Sequence, residues 1–188
     1  MKEAARILAA QGVLEIRPRL GTYVKPITEQ SLQEITEARL LIESFSVRRF
    51  ADRASKRDWQ DLNSLLDRAG DLVASNKHSA GTDLVGRWIE LDSSFHRDLV
   101  AVGSNDVLLR FYESLGISMQ LSRAVVYRAS TGPNTSINRM RESHSEHAAL
   151  VKDMKAGRAE RAVERLENHV TRSLKAAVEG VRARGGVV

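Results

Sequence analysis

The stretch Val85-Gly-Arg-Trp-Ile89-Glu-Leu-Asp92-Ser-Ser-Phe-His96-Arg-Asp-Leu99-Val-Ala-Val-Gly103 decides how the chain is read. Val85, Ile89, Asp92, His96, Leu99 and Gly103 recur at steps of four, three, four, three and four. That is the spacing of one helix face turned towards a core. Two members of the row, Asp92 and His96, are ionisable and one turn apart, so their side chains point the same way. Met140, His144, His147, Val151 and Met154 form a second such row, and Ala162, Leu166, His169, Ser173 and Ala177 a third. Three helices therefore aim a carboxylate and several imidazoles at one interior.

An ionised Asp in a core is costly unless it is paired or coordinated, and a divalent metal meets that need. Asp92 offers an oxygen; His96, His147 and His169 offer imidazole nitrogens. With no thiolate in the set, zinc comes first, with nickel, manganese, iron or cobalt as alternatives. Three neutral imidazoles and one carboxylate leave the ion a net positive charge and an open coordination position, which suits a small carboxylate ligand. Each piece alone has a plainer reading: a hydrogen-bonded core histidine, or an Asp–His salt bridge. Convergence from three helices favours the metal. His144, one turn before His147, is either a ligand or a partner that orients one. His78 falls in a polar loop and reads as solvated. Arg39 interrupts the apolar stripe of the first long helix. It either clamps an effector carboxylate or snorkels and pairs with Glu43.

Around this centre the 188 residues suffice for one good core and a small appendage. There is no cysteine, which excludes disulfides and implies a reducing compartment. No apolar run approaches the roughly 18 residues of a membrane span, and no signal-peptide h-region opens the chain; a cytoplasmic protein is expected. The formal net charge of +5 is mild. No proline occurs between Pro26 and Pro133, which suits long helices.

Lys2 to Gln11 reads as a short helix closed by Gly12. Val13 to Ile16 and Thr22 to Val24 read as strands joined by a turn over Arg17 to Gly21. A helix and hairpin of this size do not fold alone. From Thr28 the pattern is helical. Ser31 with Glu34 supplies a capping box, and Leu32, Ile35, Ile42 and Phe45 form the stripe that Arg39 shares. Ser55 and Asp58 start a second helix carrying Trp59, Leu62, Leu66 and Leu72. A loop over Ser75 to Asp83 precedes the helix of Asp92. A fourth helix from Asn105 carries Val107, Phe111, Leu115, Met119 and Val126. A loop over Ser130 to Ser136 leads to a fifth, from Ile137 to Lys155, closed by Gly157. The sixth runs from Ala159 into the 180s. The expectation is mainly α: an antiparallel bundle of about six helices over residues 28–188, behind a small α/β piece over residues 1–27.

These segments resemble a known family. Lys2-Glu-Ala-Ala-Arg6, Leu8, Gly12 and Val13-Leu-Glu-Ile-Arg-Pro-Arg-Leu-Gly-Thr-Tyr-Val24 are similar to the recognition helix and wing of a GntR-type winged helix. Glu37-Ala-Arg-Leu-Leu-Ile-Glu43, Asp92-Ser-Ser-Phe-His96, Glu146-His147 and Glu167-Asn-His169 look like the FCD sensor domain of the FadR-like branch, as does the 22-residue step from His147 to His169. The resemblance implies a metabolite-responsive transcription regulator, not an enzyme. It implies a homodimer on a palindromic DNA operator, controlled by a small organic acid bound against the metal. It assigns the metal to Asp92, His96, His147 and His169, and places Arg39, with His144, near the effector. DNA contacts fall to Lys2, Arg6, Arg17 and Arg19 and to the turn at Gly21. A complete winged helix has about two more helices before the recognition helix, so residues 1–27 are expected to be an incomplete DNA-binding unit. Their five basic against two acidic side chains, net +3 over residues 1–25, suit phosphate contacts. The alternatives are a metal-dependent enzyme, or a dimeric sensor module that does not bind DNA.

Overall fold

The computed structural model describes residues 2–76, 82–129, 133–183 and 185. Helix α1 (Lys2–Ala10) leads into a hairpin of β1 (Leu14–Arg17) and β2 (Gly21–Val24). The strands are antiparallel, with Leu14 opposite Val24 and Arg17 opposite Gly21. Leu20 N donates to Arg17 O at 3.1 Å, and Arg19 has φ +67°. Pro18 then Arg19 therefore form a type II turn, with arginine in the position that usually takes glycine.

Seven helices follow: α2 (Glu29–Arg53), α3 (Lys56–Ala74), α4 (Thr82–Gly103), α5 (Asp106–Ser114), α6 (Gly116–Ala129), α7 (Pro133–Lys155) and α8 (Ala159–Arg182). α8 is central and packs on α2, α6 and α7, while α4 packs on α2, α3, α5 and α6. α2 and α8 run antiparallel. Arg48, late in α2, pairs with Glu160 at 2.9 Å, and Glu29, at its start, pairs with Arg182 at 2.7 Å. Two large apolar clusters fill the bundle. One is centred on Trp88, Tyr127 and Met140, the other on Phe50, Phe95 and Leu166. Where α4 crosses α2, a Cβ on Gly103 would lie 2.0 Å from the Ser46 carbonyl oxygen, so only glycine admits this approach.

Several boundaries differ from expectation. Helix α2 starts earlier than the Ser31–Glu34 pairing implied. Thr28 is the N-cap, and Thr28 and Ser31 cap one another's backbone N–H groups. Ser55 and Asp58 do form the cap of α3. The fourth helix is two: the chain turns at Leu115, whose N–H donates to Tyr112 O at 3.1 Å, and Gly116 opens α6. Glycine costs a helix interior about 1 kcal/mol, which makes this the natural break. Val107 and Phe111 are exposed, at 52% and 62%, and Phe45 is at the surface. The buried face of α2 instead runs through Leu32, Thr36, Arg39, Glu43, Val47 and Phe50. Helix α7 takes over most of the expected Ser130–Ser136 loop, with Pro133 at its first position, where a missing N–H is harmless. His78 lies outside the described residues.

Candidate metal and effector centre

Helix α4 carries Asp92 and His96, α7 carries His147 and α8 carries His169. All four are buried, and each offers one ligand atom such that these atoms lie within 4.8 Å of one another. Nε2 of His147 lies 3.2 Å from Nε2 of His169 and 3.7 Å from Asp92 Oδ1. Phe95 stacks on the His147 ring at 4.2 Å between centroids and fixes its plane.

Partners on the far side of two rings decide which nitrogens face the centre. His96 Nδ1 donates to Glu43 Oε2 at 2.8 Å, and His169 Nδ1 donates to Glu146 Oε2 at 2.6 Å. With Nδ1 protonated in each, Nε2 turns a lone pair inward. Among the described residues, His96 Nε2 and Asp92 Oδ1 are buried with no hydrogen-bond partner. Imidazole lone pairs and a carboxylate oxygen facing one another are an arrangement that could hold a cation between them. Protonation states suit one. Burial, then the charges of the His169 and His96 rings, push His147 well below the usual histidine range. Burial also lowers His96, outweighing the pull of Glu43. Burial alone would raise Asp92, but Arg123 and the three histidines hold it below the usual carboxylate range. Ligands of one ion at about 2.1 Å lie at most about 4.2 Å apart, so the widest pair need close only slightly. The donor set fits a divalent cation.

Three further residues complete the centre: Glu43, which the sequence reading named only as a partner for Arg39, Glu146, which it named only as the residue before His147, and Arg123, which it did not place. Glu43, 0% exposed, also accepts from Arg39 Nε at 2.9 Å and from the Tyr112 hydroxyl at 2.8 Å. Burial works against its ionisation, but Arg39 and His96 outweigh it and hold Glu43 well below the usual carboxylate range. Glu146 joins His169 to Arg139 and Arg172. Arg123 on α6 donates from Nε to Asp92 Oδ2 at 2.5 Å. The signals were present: Glu43 is one turn from Arg39, and Arg123 sits between Met119 and Val126 on the row read for that helix.

Arg39 makes its ion pair with Glu43 and also lines a crevice shared with Asp92, Arg123 and His169. His144 is not brought into the cluster: its Nε2 lies 3.1 Å from Leu66 O on α3. Of the residues expected to touch DNA, Arg6, Arg17 and Arg19 are exposed on α1 and the hairpin. Gly21 has φ +124° at the end of the turn. Lys2 begins α1, and its side chain lies outside the described residues. The α1–hairpin unit touches the bundle through Ser118 on α6, whose hydroxyl donates to Gln11 O at 3.1 Å.

An α-helical bundle with a buried cluster of three histidines and one carboxylate, behind a helix and basic hairpin, is the architecture of an FCD-type domain. The FCD domain family matches residues 34–172, and the chain belongs to the FCD-domain, FadR-like regulators of the GntR family. It is 28% identical over 187 residues to the "probable D-xylose utilization operon transcriptional repressor" of Paenarthrobacter nicotinovorans, covering 100% of this chain and 74% of that protein. It has the fold of E. coli McbR/YncC, with a TM-score of 0.78 at 18% identity, over 95% of this chain and 83% of that one. It is also similar to a Zn2+-bound FCD domain of the regulator TM0439, with a TM-score of 0.58 at 18% identity, over 84% of this chain and 98% of that one. No described helix is long and apolar enough to cross a membrane.

Proposed function

We propose that the protein is a metabolite-responsive transcription regulator. Its bundle binds a divalent ion through Asp92, His96, His147 and His169, and a small carboxylate effector beside it. The observation that carries the reading is the inward set of unpartnered donors, Asp92 Oδ1 and His96 Nε2, beside the close Nε2 atoms of His147 and His169. When bound, the ion supplies a positive charge and an open position for an effector oxygen. Zinc suits the set best, and a solved relative of the same fold carries it.

Sensing fits better than hydrolysis. The carboxylates next to the cluster, Glu43 and Glu146, already accept from imidazole N–H groups and arginines, so neither stands ready as a general base. Residues 1–27 would be the recognition helix and wing. Ile7, Ile16, Leu20 and Val24 are between 46% and 74% exposed, apolar surface of the kind a larger winged-helix core covers. Helix α6 carries Arg123 in the centre and Ser118 against Gln11, so a shift of α6 on effector binding would alter the angle at which the wing is held. In a homodimer that angle sets the spacing of two recognition helices on a palindromic operator.

The test is elemental analysis of protein purified with zinc supplementation. About one ion per chain is expected, with His147→Ala and His169→Ala each lowering the content. A metal-free wild type, or unchanged content in both variants, would remove the assignment.

A further inference from the structure

The crevice beside the proposed metal ligands holds two buried arginines, each with one terminal nitrogen unused among the described residues. Arg39 is 6% exposed and Arg123 5%. Each spends Nε on a carboxylate, Glu43 and Asp92 respectively, and each leaves an Nη2 buried without a hydrogen-bond partner among the described residues. Both line the same crevice, with Asp92 and His169 as its metal-side wall and hydroxyls from Thr36 and Ser122 beside them. Buried guanidinium N–H groups are seldom left unpaired, and two of them on one crevice form a fork for oxygen anions.

Charge narrows the class further. Arg39 with Glu43, and Arg123 with Asp92, are two neutral pairs. A divalent ion on neutral imidazoles adds two positive charges to a buried centre. One carboxylate would leave half of that uncompensated, in a setting where unpaired charge is costly. Space narrows it too. The crevice itself has a free volume of only about 10 Å³, room for about one water. On the other side of Arg123 lies a cavity of about 140 Å³ between α4, α5 and α6, lined by Ser93, Tyr112 and Met119. Arg123 lines both.

We infer that the effector is a small dicarboxylate. One carboxylate binds at the ion and Arg39. The other draws Arg123 off Asp92 and occupies the space this opens. Arg123 is thus both a specificity residue and the part of α6 that moves. The inference rests on the metal reading above through its charge argument.

The experiment is calorimetric titration of the zinc-loaded full chain, its metal content measured, with succinate and with butyrate, which have the same carbon count and differ by one carboxylate. A charge-assisted hydrogen-bonded contact contributes about 1.5–3 kcal/mol, so succinate should bind about tenfold tighter or more. In Arg39→Gln and Arg123→Gln the preference should fall to within about twofold. Arg123→Lys, which keeps the charge and loses the fork, should retain part of it and covers the case in which the glutamine variant does not fold. Equal binding of the two acids at full zinc occupancy overturns the dicarboxylate alone. A preference unchanged in both arginine variants overturns their role. A chain that takes up no zinc overturns the reading beneath.

Discussion

Glu43 accepts hydrogen bonds from Arg39, His96 and Tyr112 while fully enclosed, and this one side chain ties α2 to α4 and α5. An amide at this position cannot serve three donors, because its NH2 group is itself a donor. Glu43→Gln would leave the Arg39 charge buried without its partner. Losing one member of a buried pair costs about 3–5 kcal/mol, so urea denaturation should show a loss of that order. A loss below about 0.5 kcal/mol, ordinary for a surface change, would mean that Glu43 does not hold the cluster together. The same residue shows where reading by apolar stripe stops. Asp92 and His96 stood out because their neighbours at steps of three and four were Ile89 and Leu99. Glu43 was named only as a pairing partner for Arg39, because its row also holds Thr36 and Arg39, and a search for oily positions passed to Ile42 and Phe45 instead. Arg123 was passed over on a row whose other members were apolar. A buried polar network thus hides from periodicity when its own members make up the row.

Helices were legible where caps and periodicity agreed. Ser55 with Asp58, Asn105, Gly12 and Gly157 all act where their chemistry says they should. The α5–α6 break was not legible, because an apolar repeat from Val107 to Val126 runs through it. Only packing distinguishes them: Tyr112 turns in to Glu43 while Val107 and Phe111 face out. The α7–α8 corner is held by a further device. Asp153, with a side chain 4% exposed, accepts from Arg158 at 2.6 Å, pairs with Arg161 at 3.5 Å and accepts from Arg165. The Arg165 hydrogen bond lowers the Asp153 pKa against the opposing effect of burial, and the Arg158 hydrogen bond adds to the lowering. A carboxyl whose folded pKa is depressed contributes stability that is present above its unfolded value, about 3.9, and is lost as pH falls through the folded value. Wild type should therefore exceed Asp153→Asn in denaturation midpoint at pH 7, with the gap closing below about pH 4. A gap that stays constant from pH 7 to pH 3 would assign the loss to shape rather than to charge.

At the scale of the molecule, a bundle that buries its histidine–aspartate cluster so thoroughly still leaves large apolar side chains outside. Leu41 (77%) and Phe45 (37%) lie one turn apart on α2, and Val107 (52%) and Phe111 (62%) one turn apart on α5. The two helices touch, and Ile42, next to Leu41, packs into the small cluster that also takes Leu109 and Tyr112 of α5. Scattered apolar residues on a surface need no account, but paired stripes on neighbouring helices form a patch of the kind that partners cover. We expect this patch to be the face on which two copies meet, as the proposed operator binding requires. It would also place the dimer contact on the α2 helix that carries Arg39 and Glu43. An isologous interface meets itself, so one substitution acts twice. Leu41→Lys with Phe111→Glu, chosen away from every cluster contact described above, should convert a dimer in sedimentation velocity to a monomer at micromolar concentration, while the circular dichroism spectrum and zinc content stay as in the wild type. A double variant that sediments as a dimer would move the interface to another face, whereas loss of zinc together with dimerisation would show that the bundle is incomplete without its partner.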